Sequence, residues 1–247
     1  MSNAAAVAFR AYTAAFLTRR SLWIVVGIAV LFLGAALLIS TLSRTSSLFT
    51  SATLEGMRVF ALIPGVPVAA LLMSEIPVRD GIRHRTLLYH LLSPVPRSTL
   101  VVVRTLTTAV LLTAIMTAVV AVVRMLEGGS LAPLGREALA VLLGSLAYTT
   151  LFGLLHLLTR KGLIAGLAYH LLLDSPLGTF PFGLRNLAPS YHYRVIADQV
   201  VEMELPAMIT VPEGSLVVSV VALVVITGLA LFAVTFRFDR MQLPELC

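Results

Sequence analysis

The chain has 247 residues, 58% of them hydrophobic and only 12% charged, with a mean hydropathy of +0.97. A soluble domain carries about 25% charged residues, so a fully water-covered globule is excluded. The expected fold is all-α: a polytopic membrane protein with one transmembrane domain over residues 1–247. The net charge of +6 comes with no basic stretch interleaved with aromatics, which argues for the lipid bilayer and against nucleic acid as a partner.

In chain order, residues 4–20 place Phe9, Tyr12, Phe16 and Leu17 at near-helical spacing, with Arg10, Arg19 and Arg20 elsewhere. That pattern predicts an amphipathic helix on the membrane surface, the alternative being a frayed basic tail. The first span is Leu22–Ile39. It is too long for the apolar stretch of a secretion signal and is expected to be retained, with Trp23 as an interfacial anchor. The second span, about 54–74, contains Pro64-Gly65-Val66-Pro67. Two prolines so close are expected to kink a helix and free backbone carbonyls, which membrane helices tolerate where neighbours satisfy them.

A polar segment, Glu75–Arg97, leads to the third span at 98–123, and the fourth covers 138–158. In the fourth, the Gly144/Ser145 patch lacks the pattern of a nucleophile elbow and fits close helix packing. The fifth is irregular. Gly162–Leu173 is too short to cross, and extending it over 162–182 takes in His170, Asp174, Pro176 and Pro181. A broken or re-entrant element is expected there, continuing into a long outer loop through Gly214. The last span, 215–236, is uninterrupted.

Six transmembrane helices would leave both termini on one side of the membrane. Segments on that side hold eleven basic residues and four acids, a net +7, against six basic residues and eight acids, a net −2, on the other. The bias predicts cytoplasmic termini and a cytoplasmic connector between the second and third spans. Within that connector Thr86–Leu92 reads as a short helical piece stopped by Ser93-Pro94. A short helix among arginines at the membrane face suits docking of a cytosolic partner; alternatively its arginines only fix topology.

The connector resembles the first cytoplasmic loop of type-2 ABC export permeases. That loop has an acidic residue, Gly-Thr-Leu, a short apolar helix, Pro-Val-Ser-Arg, and a Lys seven residues into the next span. Here the matches are Thr86-Leu87, Leu91, Pro94-Val95, Arg97, and Arg104 in place of the Lys. Arg85 stands where Gly is usual, and the acid is either Glu75 or Asp80. A second stretch, Leu187-Ala188-Pro189-Ser190-Tyr191-His192-Tyr193-Arg194, is similar to the family's Ser-Pro-aromatic segment before the last span. The resemblance covers nearly the whole chain. It implies a permease half in the cytoplasmic (inner) membrane that pairs with a second copy of itself or a paralogous permease. It also implies docking of a cytosolic ABC ATPase through Glu75, Asp80, Arg83, Arg85, Thr86, Leu87, Leu91, Pro94 and Arg97. The chain has no G-x-x-x-x-G-K-[ST] phosphate loop, so no cofactor is expected in it; ATP and magnesium would sit in the partner.

A rival reading is an intramembrane protease that activates water or a metal. Glu75-x-x-x-Arg79, Phe152-x-x-x-His156 and His170-x-x-x-Asp174 echo motifs of the family that processes prenylated proteins. The first of these has one glutamate where that family has two. His170 and Asp174, four apart, are expected to share a helix face. They form either a self-satisfied pair at a helix break or a contact for cargo on the substrate path. His84 and His90 are six apart, a poor spacing for a shared metal, and no metal site is expected.

Overall fold

The computed structural model describes residues 20–43, 51–83, 96–159, 161–178, 183–197 and 214–240. The predicted surface helix, 4–20, lies outside them except for Arg20, which opens the first helix. Among the described residues all regular structure is helical. Five helices are long and apolar enough to cross a membrane: Leu22–Leu42, Thr53–Glu75, Ser98–Glu127, Leu134–Leu158 and Leu216–Asp239. The five agree with the first four and the last of the predicted spans; the predicted fifth is the shorter apolar helix Gly162–Leu177.

Helix α1, Arg20–Ser43, carries no charge after Arg20. The second span is a continuous rod of α2 (Ser51–Phe60), a π-helical turn (Ala61–Gly65) and α3 (Val66–Arg83). The Pro-Gly-Val-Pro sequence therefore does not break the helix. The wider turn absorbs the prolines by shifting the ladder to i→i+5 bonding. In that register the carbonyl of Leu62 faces residue 67, a proline with no N–H to offer. The expected freed carbonyl is thus at Leu62.

Helix α3 also runs on through Pro77 to Arg83, where the hydropathy pattern suggested that a polar connector begins at Glu75. The end of an apolar pattern marks the exit from lipid. It does not end the backbone ladder, which can continue into water.

Helix α4, Arg97–Glu127, ends at Gly128, whose φ of 72° lets its N–H turn back to the carbonyls of Arg124 and Met125. A tight turn leads to α5, Leu134–Leu158, the central helix. It packs against α3, α4, α6 (Gly162–Ala168), α8 (Pro189–Ala197) and α9 (Leu216–Asp239). In the most apolar stretch of α5, 56% of the residues are buried, against 17% in α1 and 22% in α9. These shares place α5 inside the bundle and leave α1 and α9 mostly on its perimeter. Burial of apolar side chains from lipid brings no hydrophobic gain, so close packing and polar contacts must hold α5 in place.

After α6 the chain passes through a second π-helical turn, Tyr169–Asp174, and the short α7, Ser175–Leu177. Residues 162–177 rise about 24 Å at 1.5 Å each, short of a 30 Å hydrocarbon core. The sequence pattern assigned everything from there to Gly214 to an outer loop. Instead, a 3₁₀ turn (Gly183–Leu187) is followed by α8, a helix buried against α5 and α9. Hydropathy misses α8 because its buried residues Ser190, Tyr191, His192 and Tyr193 are polar or amphipathic.

Candidate functional site

The break in the predicted fifth span builds a polar centre. Glycines bring its helix close: a Cβ on Gly162 would overlap the His156 ring, and one on Gly166 would overlap Leu71 of α3. The π-turn, closed by the Ser175 N–H on the His170 carbonyl, turns His170 and Asp174 into the core, where they are 5% and 1% exposed. Asp174 Oδ2 accepts the Tyr148 hydroxyl at 2.8 Å and His170 Nδ1–H at 3.0 Å. Its Oδ1 accepts the Ser190 N–H at 2.9 Å, and its backbone carbonyl accepts the Ser190 hydroxyl at 2.7 Å. The predicted His170–Asp174 pair therefore forms, inside a network that also fastens α5 and α8. With three donors on its two oxygens, the carboxylate is solvated by the chain itself.

Helix α8 forms the other half. The Tyr193 hydroxyl donates to the Leu62 carbonyl at 2.9 Å, satisfying the group that Pro67 leaves open. Tyr193 can reach it only because position 144 is glycine, since a Cβ there would stand 2.6 Å from the Tyr193 ring. His192 Nε2–H donates to the Asn186 carbonyl at 2.8 Å, and its Nδ1 meets the Ser219 hydroxyl of α9 at 3.2 Å. Tyr148 lies edge-on to His170 and Tyr193, with ring centroids 5.9 and 6.5 Å away.

A second cluster ties α2, α4 and α5 together. Arg124 forks onto Glu137, with Nε to Oε2 at 3.0 Å and Nη2 to Oε1. Arg58 donates to Glu137 Oε1 at 2.6 Å and to both oxygens of Glu127 at 3.0 and 3.2 Å. Glu137 is 1% exposed. Sequence reasoning counted these charges only toward topology and missed the network. The signal was their position: Arg124 just past the third predicted span, Glu137 just before the fourth, and Arg58 near the start of the second.

The described part of the predicted docking segment lies at the ends of two helices. Glu75 is half-buried at the end of the second span, Asp80 and Arg83 lie on the extension of α3, and Arg97 opens α4. Arg85, Thr86, Leu87, Leu91 and Pro94 lie outside the described residues, as do His84 and His90. Arg104 is 7% exposed within α4.

The two histidines of the rival reading's motifs sit at different levels of α5. His170 packs on Tyr148, whereas His156 lies two turns further along α5, with Nε2 at 3.4 Å from the Leu71 carbonyl. Among the described residues no group of three or more His, Cys, Asp or Glu could hold a metal ion. No protein-family model matches the chain, and no curated protein matches it.

Proposed function

We propose that the chain is the membrane-spanning permease subunit of an ABC-type exporter, energised by a separate nucleotide-binding subunit that holds ATP and magnesium. In this reading it is a six-crossing half-channel in the cytoplasmic membrane, completed by a second copy or a paralogous permease. The fifth crossing is made in two pieces, Gly162–Leu177 and α8. Both termini are cytoplasmic, and residues 4–20 lie along the membrane surface.

The observation that carries this reading is the unbroken rod from Ser51 to Arg83. Its last eight residues pass the end of the apolar span at Glu75, about 12 Å at 1.5 Å per residue. A push on the connector that follows Arg83 is therefore delivered along a helix to the π-turn. There the Tyr193–Leu62 bond hands it to α8 and the Asp174 centre. Closure of a partner ATPase would be felt as a rigid-body shift of this rod between two packed states.

The docking contact falls on Leu87 and Leu91, one turn apart, with Arg83, Arg85 and Arg97 at the rim. Apolar anchors dominate affinity, and rim charges mainly set on-rate and salt dependence. Co-expression with a phosphate-loop ATPase from a neighbouring reading frame should give a complex that co-purifies in detergent. Leu91→Asp should abolish that complex while leaving membrane insertion intact. Retention of the ATPase at wild-type levels by both Leu87→Asp and Leu91→Asp would place the docking surface elsewhere.

A further inference from the structure

A groove runs between α1, the rod of the second span and α4. On the rod its wall is Phe60, Pro64, Val68 and Leu72, one residue per turn, and on α1 it is Val25, Ala29 and Phe32. Such spacings keep each wall on a single helix face. The groove therefore follows the helix axes, and the stretch from Phe60 to Leu72 gives it a length of about 18 Å at 1.5 Å per residue. All three helices are among the five that can cross a membrane, and the lining residues lie inside those spans. Its long direction is that of the bilayer normal.

The floor is buried and the rim is open. Val25 and Met116 are 3% and 6% exposed, whereas Ile28 and Phe60 are 55% and 61% exposed. Phe32 and Phe60 stack at 6.3 Å and join α1 to the rod at one end. Gly65 brings the π-turn close to α4: a Cβ there would stand 3.2 Å from the Phe60 carbonyl oxygen and 3.4 Å from Met116 Cε. What remains beside them is a cavity of about 160 Å³ whose lining side chains are all apolar.

A void beside packed side chains forfeits their dispersion contacts, and these walls offer water no hydrogen bond. Apolar cavities of this size stay dry and accept apolar ligands. At this depth the medium outside is hydrocarbon. A helix with its side chains is about 10–12 Å across, too broad for the space, whereas an extended alkyl chain is one carbon wide. We propose that the groove is a binding site for one hydrocarbon chain of a bilayer lipid. Bound there, the chain packs α1, only 17% buried in its most apolar stretch, against the π-turn. It is a removable part of the contact between α1 and the rod.

The test uses the full chain with no ATPase present, so its outcome is separate from the permease reading. The protein is placed in phosphatidylcholine nanodiscs containing a small fraction of phosphatidylcholine with a diazirine on one acyl chain. After irradiation, the labelled residues are mapped by mass spectrometry. Phe232 on α9, 67% exposed, reports ordinary contact with surrounding lipid. Val25 and Met116 should also be labelled, because a chain seated in the groove reaches the buried floor. Ala29→Leu and Ala69→Leu fill the groove from opposite walls, and each should lower floor labelling about tenfold with Phe232 unchanged. Ile28→Ala widens the mouth without filling it and should keep floor labelling at the wild-type level or above. A floor left unlabelled while Phe232 is labelled would overturn the proposal, as would floor labelling that both leucine variants leave intact. Floor labelling that appears only after residues 1–19 are removed would assign the groove to the chain's own N-terminal segment. Labelling confined to discs holding a single copy would assign it to a second copy. Either result also overturns the proposal.

Discussion

At the scale of single residues, Asp174 organises the middle of the molecule. A buried carboxylate is tolerated when donors replace its water, and Tyr148, His170 and Ser190 do so from three separate elements. Interhelical hydrogen bonds in membrane proteins average roughly 0.6 kcal/mol and reach roughly 1.7. A bond onto a carboxylate belongs at the upper end. Tyr148→Phe should therefore lower stability in detergent by about 1–2 kcal/mol, seen as a reduced denaturation midpoint with the fold retained. Asp174→Asn should cost more, because its amide turns two N–H groups toward existing donors. Equal midpoints for Asp174→Asn and wild type would show that the carboxylate is not the pin of this network. Of these contacts, only His170–Asp174 was legible in the sequence, because a spacing of four fixes a shared helix face. Tyr148 and Ser190 lie 26 and 16 residues from Asp174, and no local period encodes which distant hydroxyl or N–H will arrive.

At the scale of elements, the long apolar runs were legible because a helix in lipid must satisfy its own backbone, and length and hydropathy then suffice. The irregular parts were not, because their backbone is satisfied from elsewhere. The π-turn at Ala61–Gly65 depends on Tyr193 for the Leu62 carbonyl, and α8 depends on Arg136 for its last carbonyls. The clamp made by Arg58, Arg124, Glu127 and Glu137 follows the same logic. It was visible as charges near span ends, but its pairing required the helices to be placed side by side. Removing one member of a buried ion network strands the others, typically at about 3–5 kcal/mol. Glu137 serves both arginines, so Glu137→Gln should destabilise the protein by about 3 kcal/mol. Glu55→Gln, whose carboxylate is 64% exposed and 3.7 Å from Arg58, should cost little. Thermal or denaturant midpoints in detergent check both, and equal losses would show that the network does not join the helices.

At the scale of the whole molecule, five long apolar helices and one shorter one leave the number of crossings to be decided by Gly162–Leu177. Counting that segment as a crossing puts both termini on the same side; omitting it puts them on opposite sides. Charge supports the first count. The extension of α3, the residues around Arg160 and Lys161, and the end of α9 then share the +7 side, while the Glu127–Glu137 end faces away. With five crossings, Arg237 and Arg240 would move to the outer side and the acids of 174–213 to the inner one, so the bias would shrink from +7 against −2 to +4 against +1. A reporter fused after Arg240 should therefore be active only in the cytoplasm, and one inserted near Glu204 only outside. The two fusions are needed together. A C-terminal reporter active outside, with the Glu204 reporter also outside, would mean that the last helix lies along the membrane without crossing. A C-terminal reporter outside with the Glu204 reporter in the cytoplasm would mean that Gly162–Leu177 and α8 enter and leave by the same face.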